Sequence, residues 1–93
     1  MKKKGKILEI KPVEEIGKNG FKKRVLILET DRESEYPQKI PFEFVNANTD
    51  KLDDFVEGED VEVTFAIKGR DYNSQDGEKK YFISLQAWSI VAY

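Results

Sequence analysis

Apolar residues recur at every second position over most of this chain, and a period of two marks strands whose two faces meet different surroundings. From Lys6 to Val13 apolar and polar residues mix with β-branched ones, and Gly17-Lys18-Asn19-Gly20 follows with the Asn-Gly pair that hairpin turns favour. The next strand, Phe21 to Thr30, puts Leu26 and Leu28 on one face and Phe21, Lys23, Val25 and Ile27 on the other. Both faces are partly apolar, so one enters the core and the other must be covered by a curled neighbouring strand, another subunit or a ligand. Asp31 to Glu35 is a polar connection that closes at Tyr36-Pro37, where proline removes a ladder donor and suits the start of an edge strand. A third strand, Gln38 to Asn46, turns Ile40, Phe42 and Phe44 into the core and Lys39, Pro41, Glu43 and Val45 away from it.

The alternation then stops. Asn48, Thr49 or Asp50 can cap a short helix in which Leu52, Phe55 and Val56 form one apolar stripe at i, i+3 and i+4, with Gly58 as its stop. Alternation resumes from Glu59 to Arg70, with Val61, Val63, Phe65 and Ile67 inward and Glu62, Thr64, Ala66, Lys68 and Arg70 outward. Asp71 to Lys79 is a polar loop whose Asp76-Gly77 pair predicts a hairpin turn. The last strand, Lys80 to Ala92, separates Tyr81, Ile83, Leu85 and Ala87 from Phe82, Ser84, Gln86, Trp88 and Ile90. Trp88 is read as closing one end of the fold. The order predicts an all-β fold, a five-stranded Greek-key OB-fold barrel with one short helix between strands 3 and 4 plugging an end. With 93 residues the chain is expected to form a single domain, 1–93.

Two zeros in the composition exclude the most: there is no Cys and no His. Disulfides, thiolate nucleophiles, Cys/His zinc sites and Ser-His-Asp triads are therefore out of reach. The longest unbroken apolar run, Val25-Leu26-Ile27-Leu28, is far short of the ~20 residues that cross a bilayer. Met1 to Lys4 is basic but has no apolar stretch of a signal peptide behind it, so a cytoplasmic protein without membrane contact is expected. Asp50, Asp53, Asp54, Glu57, Glu59 and Asp60 are dense, but they crowd one helix and its exit, where acid/base pairs cannot oppose each other across a cleft. They also lack the spacing of a calcium loop. Neither catalytic residues, nor a metal site, nor a cofactor is expected.

The net charge of -2 argues against a polyanionic partner until its distribution is considered. Met1 to Arg24 carries nine basic against three acidic residues, Val25 to Glu62 three against twelve, and Val63 to Tyr93 four against three. Alone, this segregation reads as ordinary solvated faces with a lysine-rich start that frays. If the first and last segments meet in space, a basic surface can coexist with an acidic whole.

The stretch Phe42-Glu43-Phe44-Val45-Asn46 through Leu52, Phe55 and Val56-Glu57-Gly58-Glu59-Asp60-Val61-Glu62-Val63 resembles the strand-helix-glycine-strand passage of bacterial single-stranded-DNA-binding proteins. Gly20-Phe21-Lys22-Lys23-Arg24, Leu28-Glu29-Thr30, Tyr36-Pro37-Gln38-Lys39-Ile40, Gly69-Arg70-Asp71-Tyr72-Asn73 and Leu85-Gln86-Ala87-Trp88 together resemble a family of small bacterial and phage OB-fold domains related to them. The resemblance covers nearly the whole chain. It implies the OB-fold, a preference for DNA over RNA, and a role in replication, recombination or phage DNA metabolism. It departs at Val45-Asn46, where those proteins tend to carry an aromatic residue and glycine, and no flexible tail with an acidic tip follows Tyr93. A bare binding domain is expected.

Unpaired strands are held by cations that follow the phosphates and by aromatic faces on which bases stack. The outward face of strands two and three, walled by the loops between strands one and two and between strands four and five, is the surface OB-folds use. Candidates on it or beside it are Lys18, Phe21, Lys22, Lys23, Arg24, Tyr36, Lys39, Arg70, Tyr72, Lys79, Lys80 and Tyr81. Phe21 can cap a hairpin or stack on a base, and its basic neighbours favour stacking. Tyr36 can equally pack against the turn, and Arg70 with Tyr72 can form a local cluster with Asp71. The expected partner is single-stranded DNA, with RNA second and a homodimer or homotetramer compatible. The alternative is a protein-protein adaptor or self-assembling OB-fold domain in which Val25 and Ile27 are covered by a partner.

Overall fold

A computed structural model describes residues 1–93. Six strands are formed: β1 (Lys2–Ile10), β2 (Glu14–Ile16), β3 (Phe21–Thr30), β4 (Gln38–Val45), β5 (Asp60–Asn73) and β6 (Lys79–Ala92), with a 3₁₀ helix, Asn46–Asp54, between β4 and β5. The first strand, expected over Lys6 to Val13, runs Lys2–Ile10 instead, and a second short piece, β2, follows it before the turn. Pro12 lies in the break, where it has no N–H for the ladder. Lys11 on its near side still donates its backbone N–H to Val25 O at 3.0 Å. The hydrogen-bonded order is β1-β5-β6-β4-β3-β2, and β1 pairs with β3 as well, so the sheet returns on itself. With β1 and β2 taken as one interrupted strand, this is the five-stranded Greek-key OB-fold barrel. The seam between β4 and β6 is the weakest, a parallel bridge at Glu43 and Gln86.

The lysine-rich start does not fray. Lys2 to Lys6 pair with Thr64 to Asp60 of β5, and the terminal amine donates to Phe65 O at 2.9 Å. Charge segregation along the chain accounts for this: Lys4 falls opposite Glu62, and Lys6 opposite both Asp60 and Glu29. Opposite charges facing each other across a ladder support its register.

The core is Ile7, Leu26, Leu28, Phe42, Phe44, Leu52, Val61, Val63, Phe65, Ala87 and Ile90. Phe42 and Phe65 meet edge to face at 4.9 Å between ring centroids. Strict alternation separates Ile90 from Ala87, yet both are buried, because the register slips from Phe65↔Ala87 to Thr64↔Ser89. The extra residue in that bulge is Trp88, which stays exposed instead of closing an end. A bulge at Leu8 does the same for β1, between Ile7↔Leu28 and Glu9↔Ile27.

The helix differs from the expected one in type and position. It begins at Asn46 and ends at Asp54, with Val45 as N-cap and no side-chain cap. Three residues per turn align every third side chain, so Thr49 and Leu52 are buried and Phe55 packs on the core just beyond the end. Val56, placed in the stripe by an α-helical period, is 64% exposed. Thr49 closes the first turn by donating its hydroxyl to Asn46 O at 2.8 Å.

Past Phe65 and Leu85, β5 and β6 leave the barrel as a two-stranded arm, and Ile67, expected inward, is 50% exposed there. The loop expected from Asp71 to Lys79 is shorter, because Asp71 to Asn73 and Lys79 join the ladder and only residues 74–78 turn. No helix is long and apolar enough to cross a membrane.

Candidate functional site

The arm, the β2–β3 hairpin and the outer face of β3 and β4 enclose a groove of about 530 Å³. Its floor is Phe21, Lys23, Glu43 and Val45, continued by Gln86. Alternation brings these together, because odd-numbered residues of β3 and β4 point away from Leu26, Phe42 and Phe44. Ile16 stands opposite Phe21 in the β2–β3 ladder and raises one wall.

The other wall is the arm. Its register sets Lys68 opposite Ser84, Arg70 opposite Phe82 and Tyr72 opposite Lys80, so these six side chains share one face. The Arg70 guanidinium lies 4.7 Å from the Phe82 ring centroid, and Tyr72 meets the same ring edge-on at 6.3 Å. A cation held over a ring keeps a flat, partly ordered surface open to the groove. The face therefore carries three cations, two rings and no carboxylate.

The arm's tip is firmly tied. The Ser74 hydroxyl and the Glu78 N–H both donate to Asp76 Oδ1, holding its carboxyl below the usual Asp range. Gly77 adopts φ +81°, which the turn requires and glycine tolerates.

The twelve expected residues divide. Phe21, Lys23 and Arg70 line the groove, and Tyr72 and Lys80 extend its arm wall. Lys18 is exposed at the β2–β3 turn, and Lys39 lies on the floor's face of β4, opposite Glu29. Lys79 and Tyr81 fall on the arm's other face, where Lys79 pairs with Asp71 at 3.2 Å. Tyr36 is exposed in the β3–β4 connection, away from the groove lining. Lys22 follows the opposite parity from Phe21 and Lys23. So does Arg24, which donates to Lys11 O at 2.9 Å, Thr49 O at 3.3 Å and Asp53 Oδ1 at 2.7 Å. It fastens the helix to the barrel. Lys68, Phe82, Glu43 and Gln86 were absent from the expected set. Period two signals all four: Lys68 shares parity with Arg70, Phe82 with Lys80, Glu43 with Val45, and Gln86 with Phe82.

A family model described as a domain of unknown function (DUF3127) matches residues 2–91. No curated protein matches the chain. Among solved structures, the S. cerevisiae mitochondrial single-stranded DNA binding protein Rim1 superposes with a TM-score of 0.70 at 17% identity, over 99% of this chain and 91% of that one. A Plasmodium falciparum SSB in complex with ssDNA gives 0.69 at 18% identity, over 100% and 92%. At such identities the likeness is one of fold.

Proposed function

The chain belongs to the DUF3127 domain family, and we propose from the geometry of its groove that it is a cytoplasmic, non-enzymatic binding module for single-stranded nucleic acid. The observation that carries this is the arm's groove-side face: Lys68, Arg70 and Lys80 interleaved with Tyr72 and Phe82, without a carboxylate, above a floor that contains Phe21. Cations spaced along a wall follow a phosphate backbone, and rings beside them accept bases whatever their identity. DNA is preferred to RNA in this reading, on the support that two solved structures sharing the fold are single-stranded-DNA-binding proteins. Replication, recombination or phage DNA metabolism are the settings in which such strands arise.

Fluorescence titration with oligo(dT) at two salt concentrations tests the proposal. Affinity is expected to fall with salt at a log-log slope of roughly -0.7 per phosphate neutralised. No binding at low salt, or binding indifferent to salt, would overturn it. A second reading, self-assembly or protein docking, is favoured by the arm's other face, where Tyr81 is 77% and Ile83 67% exposed beside Ile67. Solution mass by size exclusion separates a monomer from a dimer or tetramer built on that face.

A further inference from the structure

Among the residues lining the groove there is a single carboxylate, Glu43. It stands on the floor, half-buried, with Lys23 Nζ 3.2 Å from Oε1. The β4–β6 bridge sets Gln86 beside it. No protein donor meets its second oxygen. A phosphate is repelled from this spot and drawn to Lys68 and Arg70 on the wall, so a strand lying in the groove turns its backbone to the arm and its bases to the floor. The groups meeting the base edges are then an acceptor, Glu43, a donor, Lys23, and an amide that does either, Gln86.

Resting on the proposed single-strand binding, we propose that Glu43 makes the groove select cytosine over thymine. Cytosine offers its N4 amino group to the carboxylate, while its N3 and O2 accept from Lys23 and Gln86. Thymine has carbonyl O4 in place of that amino group, and its lone N3–H is flanked by two oxygens that face the carboxylate's charge. Both are single-ring bases, so comparing them varies the edge while ring size stays constant.

The test is titration of the intact protein with oligo(dC) and oligo(dT) of equal length at pH 8, where cytosine is neutral. Wild type is expected to bind oligo(dC) about fivefold more tightly, the lower end of what one specific base contact contributes. In Glu43→Gln the two affinities should converge and both should rise, because an amide donates as well as accepts and carries no charge. Equal affinities in wild type, a preference for oligo(dT), or a cytosine preference that survives in Glu43→Gln would overturn the assignment while leaving single-strand binding standing. Failure of both oligonucleotides to bind wild type at low salt would remove the binding reading and this assignment with it.

Discussion

Gly5 sits where β1 passes from its pairing with β5 to its pairing with β3, and the crossing leaves no room for a side chain. A Cβ there would lie 2.5 Å from Glu29 O and 2.9 Å from Leu28 Cγ. The first contact is to backbone within the β1–β3 ladder, so it cannot move aside cheaply. Gly5→Ala is expected to destabilise the protein by about 1–3 kcal/mol, read as a lower midpoint of urea unfolding. Arg24 acts at the same scale. The run Lys22-Lys23-Arg24 looks like one basic patch, yet successive side chains on a strand point oppositely, and only Lys23 reaches the groove. Arg24→Ala removes bonds to two backbone carbonyls and to Asp53. Its expected effect is a loss of about 1–3 kcal/mol in stability, with oligonucleotide affinity unchanged. A fall in affinity at full stability would return Arg24 to the interface.

The arm is the element that turns a barrel surface into a groove, and its rings can be tested apart from its charges. Phe82→Ala should weaken oligo(dT) binding by about 1–3 kcal/mol while leaving the salt slope alone, since a stacking face is lost and no phosphate contact. Asp76 gives the arm's tip a pH dependence. A carboxyl held below its ordinary pKa of 3.8 supports the turn above that pH and ceases to do so as pH falls through the lower folded value. Protection of the Gly77 and Glu78 amides, taken relative to their intrinsic exchange rate at each pH, should fall only under that acid condition. Strand order, both hairpin turns and the core of β3, β4 and the first half of β5 were legible in the sequence, because alternation and Asn-Gly or Asp-Gly pairs are local signals. The bulges at Leu8 and Trp88 were not, since an extra residue shifts parity without altering composition. Nor was the arm. Ile67 continues the pattern of Val61, Val63 and Phe65, but periodicity reports which residues share a face and says nothing of whether that face is covered. A helix between β4 and β5 was legible, but its type and its bounds were not, because Leu52 and Phe55 satisfy periods of three and 3.6 alike, and only Val56 separates them.

For the whole molecule the question is how a net charge of -2 can accommodate a polyanion. Lys4 and Lys6 of β1 face Glu62, Asp60 and Glu29 across their ladders and offer little field to a ligand, while Lys68, Arg70 and Lys80 share a face without acids. The molecule measures 45 × 35 × 20 Å, several times the ~8 Å over which physiological salt screens charge. Local charge should therefore govern binding and net charge should not. Two substitutions that alter net charge equally separate these: Lys4→Gln and Arg70→Gln each remove one positive charge, at the β1–β5 ladder and in the groove respectively. Lys4→Gln should leave oligo(dT) affinity within about twofold and lower thermal stability slightly, because Glu62 loses its opposite charge and Tyr93 the ammonium 4.6 Å from its ring. Arg70→Gln should keep the fold, weaken binding roughly tenfold at low salt and flatten the salt slope by about 0.7, the share of one phosphate. Equal losses of affinity from the two would mean that the field of the entire surface, and not the groove wall, draws the strand in.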